Sequence, residues 1–377
     1  MKNPLLTVVV VSFVLLLFPA TFQPVHADKP PGVHSEAVIV MDAATHEVLY
    51  EKNAHRTMYP ASITKIITTI LALENADLAE EVEVSFDAVN VTGSRVYLLE
   101  DEVLPLEQLL LGVMVSSGND ASIAVAEHLS GSVTEFADQM NQFVREKVGV
   151  ENSHFKNPHG LFEAGHVTTA FDMAKISAYA MKNEQFREIV GTQMVEWEAE
   201  GWETTLYNHH ELMRQNEEIT GVKNGYVRKS GYTLVTSAEQ DDTEVIVVTL
   251  NSNSRNQAFE DTSELLDYGL ENYETQWLTF DDEELLLEHI YPEKMPVTTK
   301  KGEEIDYHVS EYGDVTITGE NQRLVKEETL EERFLTNLPS YIIPDNQDEK
   351  LTKRSHQTGL WRWFIVSGFN HLTATKQ

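Results

Sequence analysis

The sequence predicts an α/β (α+β) fold in which helices cover an antiparallel sheet, followed by a small β-rich domain. Three patterns carry this prediction: two apolar runs about a turn in residues 35–50, helical periodicity through the middle of the chain, and a period of two after residue 218. Strands at both ends of a domain with helices between them indicate a sheet that the helices cover. The 377 residues, 41% of them hydrophobic, suffice for one large domain and a smaller one.

The first 27 residues are typical of a secretory signal. Lys2 precedes an apolar stretch, and Val25-His26-Ala27 has the small-residue pattern of a cleavage site. We expect cleavage after Ala27 and secretion across the cytoplasmic membrane to its extracellular face. The alternative is an uncleaved anchor, which is disfavoured because the apolar run is shorter than the ~20 residues that span a bilayer.

The composition excludes two kinds of chemistry. A secreted chain without cysteine has neither disulfides nor a thiol nucleophile. With 61 acidic against 28 basic residues, the net charge of -33 argues against a nucleic-acid partner, since phosphate binding needs clustered Lys and Arg.

The first half of the predicted domain runs from a hairpin to three helices. The turn Asp42–His46 separates the two apolar runs of the hairpin. Pro60 heads a helix apolar enough to be buried, a position where proline is well tolerated. Residues 104–115 and 121–129 are helical patterns separated by the polar "SSGND".

The second half returns to strands. Residues 132–148 and 170–182 predict amphipathic helices, "GYTLVTSAEQ" and "EVIVVTLNSN" an antiparallel hairpin, and "DTSELLDYGLENYE" a closing helix. Beyond these, short strands and turns occur without a long helix. We therefore expect a large domain over 28–276, a small β-rich domain over 277–345, and a linker with an amphipathic segment over 346–377.

Ser62 and Lys65 are the first candidates for catalysis, three residues apart at the head of the apolar helix. A serine hydroxyl needs a base within reach, and residues at this spacing share a helix face. Lysine is a base only when its pKa is depressed, which burial, a second cation and a helix N-terminus favour. Because Ser153 and Lys156 have the same spacing in a loop, the pair needs companions.

Two further motifs supply those companions. Ser117 and Asn119 lie between two predicted helices, where the hydroxyl can relay a proton and the amide can hold a substrate carbonyl. Lys223, Asn224 and Gly225 lie where the late strands begin; the lysine offers a fixed positive charge and the glycine lets a ligand approach the backbone. A helix-capping loop and a strand-edge turn are the structural alternatives. The order and context of the three motifs favour one active site.

The three motifs resemble those of penicillin-binding proteins and class A β-lactamases. The surrounding segments "ASITKIITTILALE", "NPHGLFEAGHVTTAFDMAKISAYAM" and "GYTLVTSA" are similar to the secreted low-molecular-mass penicillin-binding proteins that are serine-type D-alanyl-D-alanine carboxypeptidases. The resemblance covers most of residues 35–275 and implies a β-lactamase/penicillin-binding transpeptidase-like domain. The tail looks most similar to the bacillus-type, spore-associated members.

The resemblance implies acyl transfer in two steps. Ser62 would attack the carbonyl between two D-alanines of a peptidoglycan stem peptide while Lys65 accepts its proton. Ser117 would help to protonate the leaving amine, Asn119 would hold the peptide, and Lys223 would attract the terminal carboxylate. Backbone N–H groups, including that of Ser62, would form the oxyanion hole. Water would then release the acyl enzyme, and β-lactams would trap it by mimicking the substrate.

One motif residue departs from the family. Asn224 stands where threonine is usual; its NH2 group can still donate a hydrogen bond, so we expect weakened or retuned activity. The alternative function is a wall protein that binds stem peptides or β-lactams without turnover. Arg255 is a candidate to help bind the substrate carboxylate; the alternative is that its side chain is a solvated charge in a loop. Tyr226 either lines the cleft or is packed within its strand.

Other enzyme classes lack their signatures. A β-lactamase would need a glutamate-x-x-leucine-asparagine loop for deacylation, and the chain has no such string. A zinc peptidase would need converging histidines. His154, His159, His166, His209 and His210 lack the spacing of a familiar metal motif, which favours loop or surface histidines and predicts neither metal nor cofactor.

The terminal segment "GLWRWFIVSGFNHL" is too short to span a bilayer, but its aromatic residues suit the membrane interface. Lys350, Lys353, Arg354 and Arg362 make this the basic neighbourhood of an acidic chain. We expect residues 357–377 to attach the protein peripherally to anionic lipid, against the alternative of a helix docked on the β-rich domain.

Overall fold

The computed structural model describes residues 30–280, 289, 290, 292, 294–310 and 312–332. The predicted signal at 1–27 and the predicted linker and amphipathic segment at 346–377 lie outside the described residues. Within them, no helix is long and apolar enough to cross a membrane.

The strands are β1 (Ala37–Asp42), β2 (Val48–Lys52), β3 (Glu81–Glu83), β4 (Val103–Pro105), β5 (Met194–Glu198), β6 (Glu203–Tyr207), β7 (Ile219–Val227), β8 (Gly231–Gln240), β9 (Thr243–Ser252), β10 (Tyr273–Leu278), β11 (His289–Ile290), β12 (Met295–Lys300), β13 (Asp306–Val309), β14 (Asp314–Thr318), β15 (Leu324–Thr329) and β16 (Glu331–Glu332). The helices are α1 (Lys65–Asn75), α2 (Phe86–Val89), α3 (Leu106–Val115), α4 (Asn119–Ser130), α5 (Val133–Phe143), α6 (Ala170–Ala180), α7 (Glu184–Gly191) and α8 (Arg255–Asn272).

A five-stranded antiparallel sheet, ordered β2-β1-β9-β8-β7, forms the centre of the large domain. Helix α8 covers one face, packing Leu265 and Leu266 against Val38 and Val247. The remaining long helices cover the other face, where α1 lies innermost and packs against α3 to α7. Both faces are therefore buried, and the predicted fold class is confirmed.

Polar caps decide where several helices begin. Ser132, Thr169, Asn183 and Ser254 each precede a helix, and each side chain accepts the N–H of the residue three positions on. These bonds satisfy backbone donors that have no partner within the helix. The cap at Ser254 fixes the start of α8 and therefore the place of Arg255.

Some elements were not predicted. The β5–β6 hairpin buries little besides Trp197 and Leu206, so its apolar pattern is too sparse to indicate two strands. Helix α7 was missed as well. The third motif was expected where the late strands begin, but Lys223 lies inside β7, the strand at the edge of the sheet.

A second, smaller unit follows α8. In it β10 pairs with β12, and β13, β14 and β15 form a three-stranded sheet around a small apolar cluster. The boundary that we proposed between 276 and 277 falls inside β10, so we place the division at the end of α8 as a proposal.

Asp42 joins the two units. This fully buried carboxylate ends β1, and its Oδ2 accepts the hydroxyls of Thr275 and Thr298, each at 2.8 Å. Its Oδ1 accepts the N–H groups of Ala44 and Thr45 in the hairpin turn. One side chain thus satisfies the turn of the first hairpin and fixes the second unit against it.

Candidate active site

Ser62 and Lys65 meet at the head of α1. Ser62 lies in a short 3-10 turn, Ala61–Thr64, and Lys65 is the first residue of the helix. The Lys65 Nζ lies 3.4 Å from the Ser62 Oγ. Ala61 has a φ of 52°, a left-handed conformation that costs energy in a residue other than glycine and is typical of functional sites. The turn therefore presents the serine to the amine at the distance that their predicted roles require.

The Lys65 amine is buried and, among the described residues, forms no ion pair with a carboxylate. Its Nζ donates to Asn119 Oδ1 at 2.7 Å and to the His159 carbonyl at 2.8 Å, and the side chain is 0% exposed. Burial lowers the pKa of Lys65 well below its usual range, the Lys223 charge lowers it further, and Asp120 acts in the opposite direction. Neutral acceptors hold the amine in place without stabilising its charge as a salt bridge would, so Lys65 is suited to accept a proton.

The second motif places its side chains between α3 and α4. Ser117 is buried and has a φ of 60°, and Asn119 is the first residue of α4. The Asn119 Nδ2 donates to the Thr92 carbonyl at 2.7 Å, and its backbone N–H donates to the Ser94 carbonyl at 2.8 Å. Because its Oδ1 also accepts a hydrogen bond from the Lys65 Nζ, both polar atoms of the Asn119 amide are held in place.

Asp120 is a site residue that the sequence reasoning missed. Its buried carboxylate accepts the N–H of Val96 at 3.0 Å and that of Leu98 at 3.3 Å, which holds residues 94–98 beside Asn119. Its charge also acts on Lys65. The available signal was an acidic residue directly after the second motif, in the first turn of α4.

The third motif lies against the nucleophile. Lys223 is 1% exposed, and burial lowers its pKa to about 7. Its Nζ donates to Asn224 Oδ1 at 3.4 Å. A Cβ at Gly225 would lie 2.6 Å from the Ser62 backbone nitrogen, closer than side chains are found, so glycine is required where β7 passes the Ser62 N–H.

The loop of residues 157–161 supports the other side of the pair. Gly160 has a φ of 84°, and a Cβ there would lie 1.9 Å from the Ala61 carbonyl oxygen. The Thr68 hydroxyl donates to the Pro158 carbonyl at 2.6 Å, one helical turn beyond Lys65. The sequence reasoning missed the His159 carbonyl because a backbone acceptor has no residue signature; the signal was the family-like stretch "NPHGL".

The Arg255 guanidinium, at the start of α8, is engaged outside the three motifs. Its guanidinium forms an ion pair with Glu211 at 2.9 Å and donates to the His209 carbonyl at 3.0 Å. Burial, together with the charges of Lys223, Arg255 and Arg214, lowers the pKa of His209 to about 4. Assistance by Arg255 with a substrate carboxylate stays a prediction.

Tyr226 is 55% exposed, and its ring stacks on that of Tyr232 with centroids 4.5 Å apart. It immediately follows Gly225, so it stands at the rim of the site and is not packed in the core. Among the described residues, no group of three or more histidine, aspartate or glutamate side chains converges as metal ligands would.

A serine beside a buried lysine, with a backbone N–H facing an edge strand, is an arrangement typical of serine acyl-transfer enzymes. Comparison with known proteins agrees. Residues 24–254 match the model of the D-alanyl-D-alanine carboxypeptidase family. The chain is 30% identical to D-alanyl-D-alanine carboxypeptidase DacF of Bacillus subtilis, covering 81% of this chain and 83% of that protein. It is 31% identical to DacC of Escherichia coli, covering 86% and 82%.

Solved structures share the fold. Penicillin binding protein 5 from Haemophilus influenzae superposes with a TM-score of 0.70 at 24% identity, covering 81% of this chain and 98% of that one, a likeness of fold alone. The Streptomyces K15 DD-transpeptidase superposes with a TM-score of 0.61 at 27% identity, covering 64% and 99%. The chain belongs to the D-alanyl-D-alanine carboxypeptidase family of serine-type, low-molecular-mass penicillin-binding proteins, and the predicted family is confirmed.

Proposed function

We propose that the protein removes the terminal D-alanine from peptidoglycan stem pentapeptides, outside the cytoplasm, through an acyl enzyme on Ser62. The observation that carries the proposal is the Lys65 amine, which is buried 3.4 Å from the Ser62 hydroxyl and, in the part of the chain that the structure describes, forms no ion pair with a carboxylate. A lysine with a depressed pKa can hold its amine neutral and act as a base, which an exposed lysine cannot do at neutral pH.

The chemistry follows from the positions of these groups. The Ser62 Oγ attacks the peptide carbonyl as its proton passes to the Lys65 Nζ, and the oxyanion forms at the Ser62 N–H beside β7. The C–N bond then breaks, and the leaving nitrogen takes the proton from Lys65 through Ser117. Water attacks the resulting ester as Lys65 takes a proton from the water. That proton passes to the Ser62 Oγ as the ester C–O bond breaks, which frees the shortened peptide with a terminal carboxyl group. Asn119 holds both Lys65 and the loop around Thr92, so it positions the base as well as the peptide.

Lys223 is placed to recognise the terminal carboxylate. Its pKa of about 7 means that the empty site carries a partial charge near neutral pH. A substrate carboxylate beside the amine would favour the protonated form and raise the pKa of Lys223. Substrate binding would therefore make Lys223 fully charged, and this charge would in turn hold the carboxylate. Arg255 would add to this attraction after leaving Glu211. A β-lactam carries a carboxylate and a strained amide, and it would acylate Ser62 by the same path.

The proposal is tested by incubating the mature protein with a pentapeptide that ends in D-alanyl-D-alanine and measuring free D-alanine. A pentapeptide ending in D-alanyl-L-alanine is the control. We expect D-alanine release that a β-lactam blocks, and no release from the control. Labelling by a fluorescent penicillin without any D-alanine release would support the binding protein without turnover, and absence of both would refute the proposal.

The Asn224→Thr variant is expected to raise turnover about 2- to 10-fold. The Asn224 amide now accepts a hydrogen bond from Lys223, whereas the shorter threonine side chain carries a hydroxyl that can rotate to donate to the substrate carboxylate. The measurement is kcat/KM for D-alanine release at a fixed pH. Loss of activity in this variant would show that the amide has a role that threonine cannot supply.

We also propose that residues 357–377 attach the protein to the membrane surface, supported by their aromatic and basic composition. These residues lie outside the described part of the chain. Deleting them is expected to move the protein from the membrane pellet to the supernatant in a sedimentation assay with vesicles of anionic lipid. Persistent sedimentation of the shortened protein would count against attachment through this segment.

A further inference from the structure

The buried His166 side chain is held at both ring nitrogens. Nδ1 lies 3.0 Å from the backbone nitrogen of Lys156, and Nε2 lies 2.8 Å from the Thr64 hydroxyl. A backbone N–H can only donate, so Nδ1 must be the unprotonated acceptor. Nε2 therefore carries the hydrogen and donates it to Thr64. One neutral tautomer satisfies both partners.

These partners connect the loop to the catalytic helix. Thr64 immediately precedes Lys65, and Lys156 begins the loop whose His159 carbonyl accepts a hydrogen bond from the Lys65 amine. Thr68 binds the same loop through the Pro158 carbonyl. Contacts from Thr64, Lys65 and Thr68 thus hold the loop against α1 and the turn before it. The contact of Thr64 is made to an imidazole, which can titrate independently of the Lys65 amine.

We propose that His166 is a positioning residue that locks residues 156–166 against the catalytic helix, and that its protonation releases the Lys65 amine from its place beside Ser62. The inference rests on the proposed function. A proton on Nδ1 would set an N–H against the Lys156 N–H at 3.0 Å, so the lock would lose one hydrogen bond and gain a repulsive contact.

The surroundings of the ring favour the neutral form. Burial, together with the charges of His154 and Lys65, lowers the pKa of His166 to about 4. The edge of the ring faces Phe155, with centroids 5.6 Å apart. The Glu163 carboxylate of the same loop faces Asn157, and its carbonyl accepts the His166 backbone N–H. The hydrogen bonds of His166 therefore hold the loop against the catalytic helix at neutral pH and are lost in acid.

The test compares His166→Gln and His166→Ala with the wild type in the rate of acylation by a fluorescent penicillin from pH 3 to pH 9, so that the range extends below the pKa of His166. Glutamine offers an acceptor and a donor that do not titrate, so His166→Gln should keep most of its rate at pH 8 and lose less of it in acid than the wild type does. His166→Ala should lose roughly 10- to 100-fold at pH 8 through misplacement of the base. His55→Gln, at an exposed histidine that is not among the charges acting on His166, is the matched control and should keep the wild-type profile.

Each outcome decides the inference. Identical acid profiles for His166→Gln and the wild type would overturn it, as would a full rate in a folded His166→Ala protein at pH 8. Nitrogen NMR of the wild type should show the Nε2–H tautomer at pH 7, and an Nδ1–H tautomer would also overturn it. Failure of the wild type to acylate at any pH would refute the proposed function and this inference together, whereas acylation with unchanged profiles refutes the inference alone.

Discussion

Replacing Ser62 with alanine is expected to abolish both D-alanine release and covalent labelling by β-lactams, with a loss of at least about 10⁴-fold in kcat. The variant removes the atom that forms the acyl bond. Within the described part of the chain, the Ser62 hydroxyl has one hydrogen bond, from the Lys65 amine at 3.4 Å, so the variant should fold and melt like the wild type. The measurements are released D-alanine, labelling on a gel and the melting temperature.

The chain contains its own control for this prediction. Ser153 and Lys156 repeat the spacing of Ser62 and Lys65, but the Ser153 hydroxyl donates to Asp172 Oδ2 at 2.7 Å and lies 2.7 Å from the Thr168 hydroxyl. Ser153→Ala should keep its activity and lose about 1 kcal/mol of stability through the missing hydrogen bonds. Continued D-alanine release by Ser62→Ala, or its loss in Ser153→Ala, would contradict the assignment of the nucleophile.

Replacing Lys223 with methionine is expected to reduce kcat/KM for D-alanine release by about 10³-fold and to stabilise the fold. The catalytic loss follows from removing the cation that faces the substrate carboxylate. The gain in stability follows because the buried Lys223 amine has, among the described residues, one long hydrogen bond, 3.4 Å to Asn224 Oδ1. Methionine fills a similar volume and has no charge to desolvate. We expect the free energy of unfolding at pH 7 to rise by roughly 2–4 kcal/mol.

The gain in stability should depend on pH in a defined direction. Folding lowers the pKa of Lys223 from 10.5 to about 7, so the unfolded chain binds more protons between these values. Stability of the wild type therefore rises with pH through this window, and the destabilisation by Lys223 is largest at and below pH 7. The difference between Lys223→Met and the wild type should shrink towards pH 10.5. Denaturant unfolding at pH 7 and pH 10 measures it.

The control for this variant is Lys175→Met on α6, where the lysine is partly exposed and donates to the Gly149 carbonyl at 3.0 Å. It should change neither the activity nor the pH dependence of unfolding. A Lys223→Met protein that is less stable than the wild type at pH 7 would contradict the prediction. It would show that the contacts of the amine stabilise the fold by more than the burial of its charge destabilises it.

The sequence predicted the parts of the site that local spacing determines. Ser62 and Lys65 are neighbours on one helix turn, and their separation follows from helix geometry. That Asn119 and Gly225 would reach the same point depended on order and context, because the patterns of their motifs recur at Ser254-Arg255-Asn256 and at Lys229-Ser230-Gly231. The structure brings them together: Asn119 contacts the Lys65 amine, and Gly225 lies against the Ser62 N–H.

The groups that were not predicted act through the backbone or across long separations. The His159 carbonyl holds Lys65, and the Thr92 carbonyl holds Asn119. Because every residue has a backbone carbonyl, the residue type at these positions does not indicate either contact. His166 could be recognised as a loop histidine, but its two partners, Lys156 and Thr64, follow from the tertiary fold alone. The ion pair between Arg255 and Glu211 joins residues 44 positions apart in the sequence, so the spacing of the motifs could not indicate it.

The junction at Asp42 bears on how the protein unfolds. Its carboxylate binds Thr275, 233 residues along the chain, and a protein cut after α8 would keep this buried charge while losing two of its donors. Such a charge favours melting of both units in one cooperative transition over independent melting. A ligand in the cleft would then slow hydrogen exchange at amides of β10 and β12, which it does not touch, because opening of these strands would require the whole molecule to open.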